Sequence, residues 1–123
     1  MSGTKLLLDT NVILYLLSGD ETIADLINGK ELYISFITEL ELLGYPELSK
    51  SEKDQLKAFI KECTIINITE QIKEKTIEIR QHHKTKLPDS IIAATSQYLN
   101  IPLITSDIGF KKIDNISTLI YEL

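Results

Sequence analysis

The chain has 123 residues, 43% of them hydrophobic, and carries 13 Lys and Arg against 18 Asp and Glu, for a net charge of −5. This length suits a single domain over residues 1–123, and Ile, Leu, Val and Phe, about a third of the chain, exclude an intrinsically disordered tail. No stretch approaches the ~18 apolar residues of a membrane span, no basic-then-apolar leader opens the chain, and the lone cysteine, Cys63, cannot form an internal disulfide; a cytoplasmic protein with no membrane partner is expected.

In chain order, Leu6-Leu7-Leu8 predicts a short buried strand, and Val12 to Leu17 opens a helix. A second strand is expected at Leu32-Tyr33-Ile34. The helix after it, through Gly44, is read with Phe36, Ile37, Leu40, Leu43 and Gly44 facing inward, and with Ser35 or Thr38 as its cap. Ser51 to Glu62 carries Leu56, Phe59 and Ile60 at helical spacing, with serines before it that can cap. Ile65 to Ile68 reads as a third strand, and Thr69 caps a helix to His83 whose apolar residues are Ile72, Ile77 and Ile79. A helix over Asp89 to Asn100 carries Ile91, Ile92, Thr95 and Leu99. Leu103-Ile104-Thr105 and Leu119-Ile120-Tyr121 complete five strands. Strands alternating with helices imply an α/β fold with a mostly parallel sheet covered on both faces and right-handed crossovers.

In such a sheet, ligands bind beyond the carboxyl ends of the strands. Acids cluster where that rule directs attention. Asp9 follows the first strand, Asp107 follows the fourth, Asp89 opens the helix leading into the fourth, and Glu39 and Glu41 follow the second. Each has a bland alternative: Asp9, Asp89 and Asp107 make good helix caps or first-turn acids, and either glutamate can be a solvated flank. Glu39 and Glu41 stand about 200° apart around a helix. They flank the assumed inward face symmetrically, so phase does not choose between them. If the first and fourth strands are neighbours, the acids converge and repel, which a divalent cation relieves. Hard oxygen donors without Cys or His suit Mg²⁺ or Mn²⁺.

At these residues the chain resembles the PIN domain family, and within it the VapC-like ribonuclease toxins of prokaryotic toxin–antitoxin pairs. The matching segments are LLLDTNVILYLL (6–17), ISFITELELLG (34–44) and KLPDSIIAATSQYLNIPLITSD (86–107), followed by Gly109-Phe110. The resemblance implies a three-layer PIN-like fold and a quartet of catalytic, metal-binding acids: Asp9, Glu41 in preference to Glu39, Asp89, and Asp107. It gives Asn11 and Thr105 supporting roles around that quartet. It further implies metal-assisted hydrolysis of RNA phosphodiester bonds with Mg²⁺ or Mn²⁺, a homodimer, and an antitoxin that occludes the site.

An acidic chain ordinarily argues against nucleic acid, but setting the four acids aside moves the net charge from −5 to −1. Arg80, Lys84 and Lys86, which bracket His82 and His83, suit either a helix C-terminus or contacts to RNA phosphates. An inhibiting antitoxin is expected to bring an Arg toward the acids and apolar residues to a groove at Leu14, Leu17, Ile23 and Leu26. A signalling receiver domain is disfavoured because Asp9 lacks an adjacent acid and the third strand lacks a following Asp. An aspartyl-phosphate phosphatase is disfavoured because Asn11 stands where a second Asp is required. A non-catalytic PIN-type module that binds RNA or protein is the remaining alternative.

Overall fold

The structure, a computed structural model, describes residues 4–120. Its elements are β1 (Lys5–Leu8), α1 (Thr10–Leu17), α2 (Glu21–Ile27), β2 (Glu31–Ser35), α3 (Phe36–Leu43), α4 (Lys50–Lys61), β3 (Thr64–Ile66), α5 (Glu70–His82), α6 (Leu87–Leu99), β4 (Leu103–Thr105) and β5 (Thr118–Ile120), with a 3₁₀ turn over Ile108–Lys112. All five strands pair in parallel, in the order β3-β2-β1-β4-β5. Among the described residues no helix is long and apolar enough to cross a membrane.

The alternation of β1 explains the three layers. Leu6 and Leu8 join Val12, Ile13, Ile23, Ile27, Leu56 and Ile60 on the face covered by α1, α2 and α4. Leu7 joins Ile72, Ile79, Ile92, Leu103 and Phe110 on the face covered by α5, α6 and the 3₁₀ turn. A central strand buried on both sides must be apolar throughout, which is what Leu6-Leu7-Leu8 supplies. The chain builds β2 and β3 on one side of β1, then crosses to build β4 and β5 on the other. Strand order therefore reverses at the β1–β4 seam, the place where α/β sheets open a ligand crevice.

Local signals set most boundaries. Ser35 Oγ accepts from the Ile37 amide at 3.2 Å and starts α3 directly from the end of β2. Ser49 and Glu52 form a reciprocal capping box on α4. Thr69 Oγ1 accepts from the Ile72 amide at 3.1 Å to open α5, and Asn100 closes α6 in a left-handed conformation, φ 55°.

Several expectations need correction. On α3 the buried residues are Thr38 and Leu42, while Leu40 is 59% exposed and Leu43 41%. Leucines at 40, 42 and 43 surround this short helix, so its apolar stripe is ambiguous until its neighbours are known. On α5 the inward face is Ile72, Thr76 and Ile79, and Ile77 is exposed. Thr76 tolerates burial because its hydroxyl donates to the Ile72 carbonyl at 2.7 Å. Ile23 lies in the core and contributes no groove surface. Strand β3 ends at Ile66, with Ile68 exposed beyond it, and α6 begins two residues before Asp89. Tyr121, assigned to the fifth strand, lies outside the described residues.

The left-handed Asn100 supplies a check on the fold. Substitution by Gly should leave stability close to wild type, whereas Asn100→Val should lower it by about 1–2 kcal/mol, read from urea midpoints, because a branched Cβ clashes in that conformation.

Candidate active site

The crevice begins where β1 ends. Asp9 leaves the strand, pairs its amide with the Ile104 carbonyl of β4 at 3.0 Å, and caps α1. Its carboxylate is nearly buried, at 5% exposure. Oδ1 accepts from the Thr10 amide at 2.8 Å and Oδ2 accepts from the Thr105 hydroxyl at 2.7 Å. Burial raises its pKa; those two hydrogen bonds oppose the rise, and Glu41 and Asp107 add to it through like charge.

Thr105 also fixes the second acid. Its Oγ1 accepts from the Asp107 amide at 3.0 Å, so a single hydroxyl links the turn after β4 to the end of β1. Asp107 Oδ1 in turn accepts from the Gly109 amide at 2.8 Å. A Cβ at Gly109 would meet that oxygen at 3.0 Å, so the absence of a side chain there lets the turn close on the carboxylate.

The third acid comes from α3. Glu41 Oε1 accepts from the Thr10 hydroxyl at 2.7 Å, and Thr10 Oγ1 lies 3.3 Å from the buried Thr38 hydroxyl. The phase of α3 leaves Glu39 and Glu41 on opposite flanks; α1 is what distinguishes them, since Glu41 is the one on its side. Thr10 serves two acids at once, through its amide to Asp9 and its hydroxyl to Glu41. Neither Thr10 nor Thr38 stands out in sequence as a site residue, because the contact joins elements 28 and 31 residues apart.

Asp89 lies in the first turn of α6. Burial, then the charges of Asp9, Asp107 and Glu41, push its pKa up to about 6, against a partial opposing effect from Lys86. Asp9, Glu41, Asp89 and Asp107 thus border one crevice, with Asn11 on its exposed wall and Lys86 at its edge. Lys84 and Lys86 reach a neighbouring cavity with Lys112, which the sequence motifs did not single out. Arg80 instead donates from Nη1 to the Thr85 carbonyl at 3.1 Å, bracing the loop that carries the two lysines.

Two expectations follow. Thr105→Val keeps shape but strands a buried carboxylate oxygen; stability should fall by about 1–3 kcal/mol, measured by urea denaturation. For Asp89 the folded chain holds a proton that the unfolded chain, with its carboxyl near 3.8, releases. Its contribution to stability is full below that value and is lost as pH rises toward about 6. In EDTA, Asp89→Asn should therefore be more stable than wild type at about pH 7 and lose that advantage at about pH 4.

Comparison with known proteins agrees with this architecture. The PIN domain family model matches residues 6–116. Nothing among curated proteins matches the chain at a significant level. A chain of a toxin–antitoxin complex from Klebsiella pneumoniae is similar at 31% identity and TM-score 0.82, over 96% of this chain and 99% of that one. A chain of VapBC2 from Rickettsia felis, bound to a DNA fragment from its promoter, shares the fold at 20% identity and TM-score 0.85, over 96% and 99%. A chain of DNA-bound VapBC from Salmonella typhimurium does so at 23% identity and TM-score 0.84, over 97% and 98%. With the family model spanning the chain from β1 to the residues just before β5, this protein belongs to the PIN domain family.

Proposed function

We propose that the protein is a divalent-cation-dependent endoribonuclease that acts as the toxin of a toxin–antitoxin pair. The observation that carries this reading is the gathering of Asp9, Glu41, Asp89 and Asp107, from four separate elements, around one crevice at the carboxyl ends of the strands. Burial, and then the like charges packed there, raise the carboxyls of Asp9 and Asp89, so the cluster works against the stability of the fold that holds it.

The donor chemistry fits a hard cation. The crevice is lined by carboxylates and has no Cys or His. Among the described residues no three His, Cys, Asp or Glu side chains form a ready-made coordination group, although all four acids border the same crevice. Asp9, Glu41, Asp89 and Asp107 would hold Mg²⁺ or Mn²⁺. When bound, such an ion supplies Lewis-acid activation of water and offsets the charge that builds on a phosphodiester under attack. The chain's own residues orient the ligands. Thr105 holds Asp9 from β4, Thr10 holds Glu41 from α1, and the Gly109 amide holds Asp107. Asn11 and Lys86 line the same crevice; Asn11 would orient substrate or water there, and Lys86 would supply a cation near the scissile phosphate.

The toxin assignment draws on one relative solved as a toxin–antitoxin complex and on another solved as a member of the VapBC family of toxin–antitoxin systems. By that relationship an antitoxin is the expected protein partner and a homodimer the expected assembly.

The protein should cleave RNA in Mg²⁺ or Mn²⁺ and stop in EDTA. Asp9→Asn should keep the circular dichroism of the fold and abolish cleavage. Calorimetric titration should show Glu41→Gln weakening Mn²⁺ binding at least about tenfold, with Glu39→Gln close to wild type. Activity that survives EDTA sinks the metal-dependent reading, damage from Glu39→Gln instead of Glu41→Gln sinks the ligand assignment, and RNA binding without cleavage leaves a non-catalytic PIN module.

A further inference from the structure

Beside the acidic crevice lies a second cavity, walled by Lys84, Lys86 and Lys112. The two share Lys86, Asp89 and Asp107 in their walls, so the basic cavity adjoins the acidic crevice. Glu41 lines only the acidic crevice, so the lysines adjoin the Asp89–Asp107 end of the carboxylates. We propose that this lysine pocket binds a backbone phosphate of the RNA strand, next to the phosphate that is cleaved. The proposal rests on the nuclease reading and adds to it a second point of contact and a direction for the strand, from the Glu41 end toward the lysines.

The grouping is not a by-product of one helix end. Lys84 and Lys86 lie in the loop between α5 and α6, where a helix C-terminus favours cations, but Lys112 ends the 3₁₀ turn beyond β4. It reaches across 28 residues to place Nζ 3.5 Å from the Lys84 carbonyl. The loop is braced beneath by Arg80, whose guanidinium holds the Thr85 carbonyl. Phe110 and Ile113, both buried, line the cavity together with the exposed Lys84, Lys86 and Lys112.

Charge gives the pocket its use. The chain carries a net −5, and the carboxylates next door repel a polyanion. Among the described residues Lys84 and Lys112 make no salt bridge, so their charge is available to a ligand. A phosphate seated on them anchors the strand beside the acids. Lysine acts there as a point charge with freely turning donors, so the pocket grips backbone without selecting a base.

The test is binding of a labelled single-stranded RNA to the full-length protein in EDTA, followed by fluorescence anisotropy between about 50 and 200 mM KCl. Lys84→Gln and Lys112→Gln should each weaken binding and lower the slope of log affinity against log salt by about 0.7, the double variant by about twice that. Lys84→Arg and Lys112→Arg should restore the slope, and Lys53→Gln, on the exposed face of α4, should match wild type. In Mg²⁺ the Gln variants should raise KM and leave kcat unchanged. Wild-type cleavage with unaltered affinity, slope and KM in the Gln variants overturns the pocket while the nuclease reading stands. A slope lost equally in Lys53→Gln overturns it too, by showing diffuse charge instead of a site. A wild-type protein that neither binds nor cleaves RNA overturns both readings.

Discussion

The hydrogen bond from Thr105 to Asp9, 2.7 Å long and fully inside the protein, is the constraint on which the site depends. A carboxylate at the end of a central strand is costly to bury unless its oxygens are matched. Thr105 matches one and the Thr10 amide the other, so Asp9 is fixed in position before any ligand arrives. Because Thr105 also receives the Asp107 amide, the same hydroxyl sets the distance between two acids on adjacent strands. The β1–β4 pairing is thus both the middle of the sheet and the frame of the crevice.

Much of this was legible in the sequence wherever a local signal coincided with a structural need. Leu6-Leu7-Leu8 followed at once by Asp9, and Leu103-Ile104-Thr105 followed by Asp107, mark strands that end in polar groups, and both strands lie where the apolar runs placed them. Ser35 (one of two cap candidates, with Thr38) and Thr69 announced helix starts through their side-chain oxygens, and Asn100 a helix end through its tolerance of a left-handed backbone. What escaped was whatever depends on a distant partner. The inward face of α3 could not be read because leucines surround that helix and only packing against α1, α4 and α6 selects Thr38 and Leu42. Thr76 displaced Ile77 from the face of α5 because a hydroxyl can satisfy itself on its own helix, which a hydrophobicity pattern does not register. Helical phase left Glu39 and Glu41 open and only the family resemblance preferred Glu41; the contact of Glu41 with Thr10, like the meeting of Lys112 with Lys84, joins segments distant in sequence.

The electrostatic layout divides labour. Acids whose charge is disfavoured by burial and by one another sit at the sheet's carboxyl end, and cations gather along one margin. Such a site opposes the stability of the fold that holds it, and the offset comes from the two apolar layers around Leu7 and Leu8. That compromise is common where function needs groups that folding alone would not bring together.

The sequence separation across the central seam has a temporal consequence. Asp9 and Thr105 are 96 residues apart, and β1 can pair with β2, and β2 with β3, long before β4 exists. A chain still being synthesised can therefore hold half a sheet, with one edge of β1 open and Asp9 lacking its hydroxyl partner. Contacts of such long range are late and slow to close. Asp9 gains its hydroxyl partner, and the crevice its second wall, only when the last strands are sealed onto the sheet.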